Sequence, residues 1–246
     1  MNSSGTLNCE PKGGARSMQA IARVYTDFPS KFGVPRQSGV TGLRGEVVFE
    51  PPFRHPDAVR GLEAFSHIWL IWQFSLAQRE GWSATVRPPR LGGNVRVGVF
   101  ASRSPFRPNP IGLSSVRLEG IETRGAQGPV LLISGVDMVD GTPVYDIKPY
   151  LRADAHMDAR EGFSGPAREH ALRVDFPPDL LSRIPEGLRA GLLEALRQDP
   201  RPSYQEDPSR LYGMPFAGQD VRFTVEGDVL TVREIGAIPG PPIQGV

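Results

Sequence analysis

Between Gly81 and Leu118 the chain carries Arg87, Arg90, Arg96, Arg103, Arg107 and Arg117 and no Asp or Glu. Six guanidinium groups in 38 residues of a chain with net charge +1 is the kind of local asymmetry that marks a polyanion site. The competing explanation is pairing with carboxylates from elsewhere in the fold. Inside this stretch lies Ser102-Arg103-Ser104-Pro105-Phe106-Arg107-Pro108-Asn109-Pro110-Ile111-Gly112. Its three prolines remove donors and hold the backbone extended. A loop of that stiffness would present Arg103, Arg107 and Asn109 at little further entropy cost. As a bare pattern it is also a Pro-rich link between two strands. A second segment runs Asp137-Met138-Val139-Asp140-Gly141-Thr142-Pro143 and on through Asp146 to Tyr150. Asp-Gly alone signals a turn. The carboxylates around it could take a proton or face a cationic ligand.

Such loops need a frame. Gly 28 and Pro 25 exceed a fifth of the 246 residues, which argues against a helical bundle and for many turns. Gln19–Tyr25 reads as a first strand, and Gly45–Phe49 as a second, with a Pro/Gly-bearing loop over 26–44 between them. Asp57 is placed to cap a short helix through Glu63. His67–Phe74 is apolar on both faces, as a buried central strand would be, which makes Trp69 and Trp72 core residues. Val95–Ala101, Ser115–Ile121 and Val130–Val136 supply further strands. Short strands between Gly/Pro turns predict an antiparallel sheet or barrel rather than a doubly wound fold. After a polar stretch over 152–173, Pro185 opens a helix whose apolar face is Leu188, Leu192, Ala195 and Leu196, ending before Pro200. Val221–Glu226 and Val229–Arg233 flank Gly227-Asp228, a hairpin signal. The fold class is therefore mainly β: a tail over 1–18, a barrel over 19–158 and a small α+β domain over 165–246. Met18 is an alternative start.

Several classes are excluded. The one cysteine, Cys9, allows no intrachain disulfide and no cysteine-based zinc site. His55, His67, His156 and His170 lack metal-ligand spacing, so no metal is expected. No apolar run approaches a membrane span, and residues 1–18 lack a signal-peptide core, so a cytoplasmic protein without a membrane partner is expected. There is no G-x-G-x-x-G after a strand, no phosphate-binding G-x-x-x-x-G-K-[ST] and no G-x-S-x-G elbow. Only Lys12, Lys31 and Lys148 are lysine, leaving 25 of the 28 cations as arginine, whose planar fork suits phosphates and bases.

Five segments together resemble one family. They are Phe32-Gly33-Val34-Pro35-Arg36-Gln37, Gly61-Leu62-Glu63-Ala64-Phe65-Ser66-His67, Arg87-Pro88-Pro89-Arg90-Leu91-Gly92-Gly93-Asn94, Phe100 through Gly112, and Asp140-Gly141-Thr142-Pro143 through Tyr150. In this order they are similar to the TrmO (TsaA-like) family of S-adenosylmethionine-dependent tRNA (adenine, N6) methyltransferases. Gln198-Asp199-Pro200-Arg201-Pro202-Ser203-Tyr204 resembles that family's bacterial C-terminal extension.

The resemblance implies a single-sheet antiparallel β-barrel acting as a homodimer. The implied substrate is threonylcarbamoyladenosine at position 37 of tRNA, beside the anticodon, with no DNA partner. By motif position it implies S-adenosylmethionine contacts from Pro35, Arg36 and Gln37, from Ser75 and Leu76, from Arg103 and Leu113, and from Asp140, Gly141, Thr142 and Pro143. Many relatives carry His where this chain has Ser75. Asp140 and Asp146 are candidate proton acceptors and Asn109 a candidate orienting group, with no choice among them. Arg87, Arg90, Arg96 and Arg107 would hold phosphates of the anticodon loop. A methyltransferase for another base or small molecule, or a non-catalytic RNA-binding barrel, are the alternatives.

Overall fold

The computed structural model of the chain describes residues 17–76, 81–88, 91, 94–164, 171–201 and 207–238. Six strands form the first unit: β1 (Ala22–Thr26), β2 (Arg44–Phe49), β3 (His67–Gln73), β6 (Ile111–Thr123), β7 (Pro129–Ser134) and β8 (Thr142–Pro149). A two-stranded ribbon, β4 (Thr85–Val86) with β5 (Val97–Gly98), stands apart from them. The six strands close in the order β1-β2-β7-β6-β3-β8, and β8 returns to β1. Every pairing is antiparallel. This is the single-sheet barrel that the family resemblance implies, and one of the two forms, sheet or barrel, that the strand pattern predicts.

Alternation builds the core. Ala22 and Val24, Val47 and Phe49, and Ile68, Leu70 and Trp72 are buried, while their neighbours along each strand are more exposed; β7 buries Val130 along with Leu131 and Ile133. A barrel this narrow is filled by side chains. The long strand β6 pairs with β3 along its first half and with β7 along its second, meeting both at Arg117. A register shift between Leu118 and Gly120 bends it there.

The second unit is a four-stranded sheet in the order β10-β11-β12-β9: β9 (Arg173–Asp175), β10 (Tyr212–Phe216), β11 (Gln219–Glu226) and β12 (Val229–Ala237). The short helix α1 (Pro178–Leu181) and the longer α2 (Glu186–Arg197) accompany it. Helix α2 buries Gly191, Leu192, Ala195 and Leu196. Pro185, expected as the first helical residue, is its N-cap in extended conformation, so the helix begins one residue later, at Glu186. Gly227 takes φ of 59° in the hairpin joining β11 and β12.

Three expectations are corrected. Asp57–Glu63 is not one helix but two short 3-10 turns, Pro56–Val59 and Leu62–Ala64, separated by Gly61 at φ 85°. His55, not Asp57, is the cap, its ring accepting from the Asp57 N–H. Val95–Ala101 is a strand only at Val97–Gly98. Of the face Val95, Val97 and Val99 only Val99 is buried, in the turn Val99–Ala101, while Val95 is exposed, so the strand is cut short. Trp69 is half-buried on the outer face of β3, donating Nε1–H to Asp154 Oδ2 at 2.9 Å, so it is not a core residue.

Candidate functional site

Antiparallel pairing sends three loops to the same end of the barrel: 27–43 between β1 and β2, 74–110 between β3 and β6, and 135–141 between β7 and β8. Around their meeting point lies a cavity of about 910 Å³. That is within the roughly 300–1,000 Å³ of small-molecule sites. Trp72 and Phe74 at the exit of β3 form an aromatic wall, their ring centroids 4.3 Å apart. Gly112 is the register partner of Trp72, and a Cβ there would overlap the indole. Glycine is therefore what lets the ring lie against β6.

The polar centre is a chain of hydrogen bonds. Trp72 Nε1–H donates to Ser114 Oγ at 2.9 Å, and the Ser114 hydroxyl donates to Asp137 Oδ1 at 2.7 Å. Burial pushes the Asp137 carboxyl up to about 6. The Ser114 hydrogen bond, its own backbone N–H, the Ser38 N–H and the charge of Arg103 oppose that rise without cancelling it. Thr26 Oγ1 donates to Met138 O, Gly39 N to Gly135 O and Gly135 N to Leu43 O, stitching the third loop to the first.

The Pro-rich loop is held by its own serines. The Ser104 and Phe106 N–H groups donate to Ser102 Oγ and Ser104 Oγ, both at 3.3 Å. Arg107 Nη1 donates to the carbonyls of Ser102 at 2.9 Å and Ser104 at 3.4 Å. The stiffness read from the prolines is thus completed by an arginine turned back on its own loop.

The second unit grips loop 27–43. Phe28 meets Phe216 edge-on at 5.5 Å, and Phe32 stacks on Phe223 at 6.4 Å. Gly33, at φ 91°, lies where any Cβ would strike the Met214 side chain. Glu194 Oε2 accepts from the Gly42 N–H at 2.8 Å, and Arg36 Nη2 donates to Asp199 O at 3.2 Å.

Of the residues singled out from sequence, Pro35, Arg36 and Gln37 line the cavity, as do Ser75, Leu76, Arg103 and Leu113. Thr142, Asn109 and Arg107 line it as well. Asp140, Gly141 and Pro143 do not: Asp140 Oδ1 accepts from the Thr26 N–H at 2.9 Å, and Gly141 O accepts from Arg23 Nη1. That turn ties the third loop to β1. Burial, then the charge of Asp140, raises the neighbouring Asp27 carboxyl. Asp146 lies on another cleft of about 690 Å³, ion-paired with Lys148 at 2.8 Å. Arg87 and Arg96 lie outside the cavity, and Arg90 lies outside the described residues. Among the described residues, no carboxylate lies within 4.0 Å of Arg87, Arg96, Arg103 or Arg107, whereas Arg117 pairs with Glu119. Trp82 and Phe100, both exposed, stack at 6.2 Å beside the ribbon.

Sequence reasoning named Asp137 only among the carboxylates of its segment and passed over Lys31, Trp69 and Trp72 in the cavity wall and Ser114 behind it. The only advance signal was Asp137 itself, three residues before the Asp-Gly turn. No group of three or more potential metal ligands occurs among the described residues, and no helix among them is long and apolar enough to cross a membrane.

Comparison with known proteins places this geometry. The model of the tRNA-methyltransferase O N-terminal domain matches residues 23–155, and that of the TrmO C-terminal domain matches 169–238. A tRNA (adenine(37)-N6)-methyltransferase of Escherichia coli (strain K12) is 42% identical over 218 residues, covering 84% of this chain and 92% of the relative. A Pseudomonas aeruginosa relative, named as a candidate S-adenosylmethionine-dependent methyltransferase, is 42% identical over 217 residues, with 84% and 91% covered. The crystal structure of TrmO from P. aeruginosa superposes with a TM-score of 0.73 at 33% identity, covering 93% of this chain and all of that one.

Proposed function

The chain belongs to the tRNA-methyltransferase O (TrmO) family, and from that membership we propose that it transfers a methyl group from S-adenosylmethionine to N6 of threonylcarbamoyladenosine at position 37 of tRNA. The observation that carries this reading is the convergence of the family-like loops, distant in sequence, on one aromatic-walled cavity.

The donor set suits a sulfonium nucleoside carrying an amino acid. Trp72, Phe74 and Phe106 offer faces to a purine and to a soft cation. Arg36 and Arg103 offer forks to a carboxylate. Pro35, Gln37, Ser75, Leu76, Leu113 and Thr142 would complete the cofactor site, with Asp140, Gly141 and Pro143 supporting it through the turn backbone. When bound, S-adenosylmethionine supplies an electrophilic methyl group for in-line displacement. The protein's part is alignment, which can supply much of the acceleration. The stitched loops and the stiff Pro-rich segment fix the walls before any ligand arrives.

Arg87, Arg96 and Arg107 would hold phosphates of the anticodon loop, whose bases are unpaired and can be turned outward. Arg90, expected to join them, lies outside the described residues. Val95 and Phe100 are exposed apolar residues, and we assign them to contact with a second copy in a homodimer. A tRNA substrate is compatible with the cytoplasmic location expected from the sequence.

The test is transfer of labelled methyl from S-adenosylmethionine to two forms of one tRNA. Labelling of tRNA bearing the threonylcarbamoyl group but not of the unmodified transcript supports the proposal. Equal labelling of both contradicts the assigned substrate.

A further inference from the structure

Asp137 has a setting that the two candidate acceptors from sequence, Asp140 and Asp146, and the candidate orienting group Asn109 lack. Asp146 is on another cleft, Asp140 is turned to β1, and Asn109 is an amide without a basic site. Asp137 alone among these carboxylates lines the cavity. It is held on one side by the Trp72–Ser114 chain from β3 and β6. On the other side the Ser38 N–H reaches it from the first loop. The charged groups facing it are those of the same cavity: Arg103 acts on it from the Pro-rich loop, and Lys31, Arg36 and Arg107 stand further round the wall.

We infer that Asp137 is the catalytic residue that accepts the N6 proton of the target adenosine during methyl transfer. The assignment rests on the function proposed above. N6 is conjugated with the purine and the adjoining carbonyl, so it is a poor nucleophile while it keeps its proton. As N6 forms its bond to the methyl carbon, the carbon–sulfur bond breaks with its electron pair left on sulfur. The N6 proton passes to the Asp137 carboxylate, which returns it to water. Ser114 and Trp72 orient the acceptor, and the Ser114 hydrogen bond, the backbone N–H groups and the charge of Arg103 favour its ionised form. A carboxyl raised toward neutrality by burial is a stronger base than an exposed one, which favours this role.

The experiment compares wild type with Asp137→Asn in three measurements: calorimetric affinity for S-adenosylhomocysteine, affinity for threonylcarbamoylated tRNA, and single-turnover methyl transfer across pH. The expected result is unchanged affinities, a rate lowered about 100-fold or more, and loss of the acidic limb of the pH–rate profile. A rate within a few-fold of wild type overturns the assignment. So does lost S-adenosylhomocysteine affinity with the rate restored at saturating cofactor, which would make Asp137 a cofactor ligand. Should Asp137→Asn fail to fold, Ser114→Ala decides. Removing the hydroxyl that stabilises the carboxylate should move the acidic limb to higher pH, and an unmoved limb overturns the assignment. If wild type transfers no methyl group to this tRNA, the proposed function falls, and Asp137's role with it.

Discussion

Asp137→Asn should make the protein more stable at pH 8 and less stable at pH 4. The carboxyl is raised from an ordinary 3.8 to about 6, chiefly by burial. The folded chain therefore holds this proton more tightly than the unfolded chain. No cost is felt below about pH 4. As pH rises through 6 the buried charge comes to cost about 3 kcal/mol, because each tenfold difference in proton affinity is worth about 1.4 kcal/mol. Asparagine carries no charge and escapes that cost. Its carbonyl can still accept from Ser114, but its NH₂ would meet the Ser38 N–H, a loss of about 1 kcal/mol. The net gain at pH 8 is about 2 kcal/mol, or roughly 4–8 °C in Tm for a chain of this size. At pH 4 only the loss of about 1 kcal/mol remains. Paired calorimetric melts at the two pH values subtract every other titrating group. A Tm difference of the same sign and size at pH 4 and pH 8 would refute the buried-charge reasoning.

Gly112→Ala should force the Trp72 indole off β6, costing about 1–3 kcal/mol in urea unfolding and weakening S-adenosylhomocysteine binding. Gly33→Ala adds backbone strain at φ 91° to a clash with Met214, so a loss of about 2 kcal/mol or more is expected in the same assay. Because Arg36 and Gln37 follow on that loop, its cofactor affinity should fall too, by calorimetry. Arg87→Ala and Arg96→Ala should weaken tRNA binding and flatten its salt dependence by filter binding, while S-adenosylhomocysteine affinity stays unchanged.

The barrel was legible because its strands alternate. Val116 and Leu118, set against Arg117 and Glu119, read as one face before any partner is known. Helix α2 was equally plain, since Leu192, Ala195 and Leu196 share a stripe. Where a segment meets little core the pattern misled: Val95 looks like an inward strand residue yet stays exposed beside a two-stranded ribbon, and only Val99 is buried. Trp69 misled in the opposite sense, because β3 looks apolar on both sides although its outer face is only half-covered. The site was legible as a set of loops, not as an arrangement. Asp140 stands in the most conspicuous turn, yet its carboxylate caps the Thr26 N–H. Asp137 drew less notice, because the groups that define it, Ser114, Trp72 and Ser38, come from three other segments. The grip of the second unit on Gly33 and Gly42 was likewise invisible, being made of contacts distant in sequence.

The most direct test of function is nucleoside mass spectrometry. tRNA from cells lacking this methylation but retaining the threonylcarbamoyl group would be incubated with the protein and S-adenosylmethionine, then digested. The predicted result is conversion of threonylcarbamoyladenosine to a form heavier by one methyl group, fragmenting with that methyl on the base. An unchanged nucleoside, from folded protein that demonstrably binds S-adenosylhomocysteine, would contradict it.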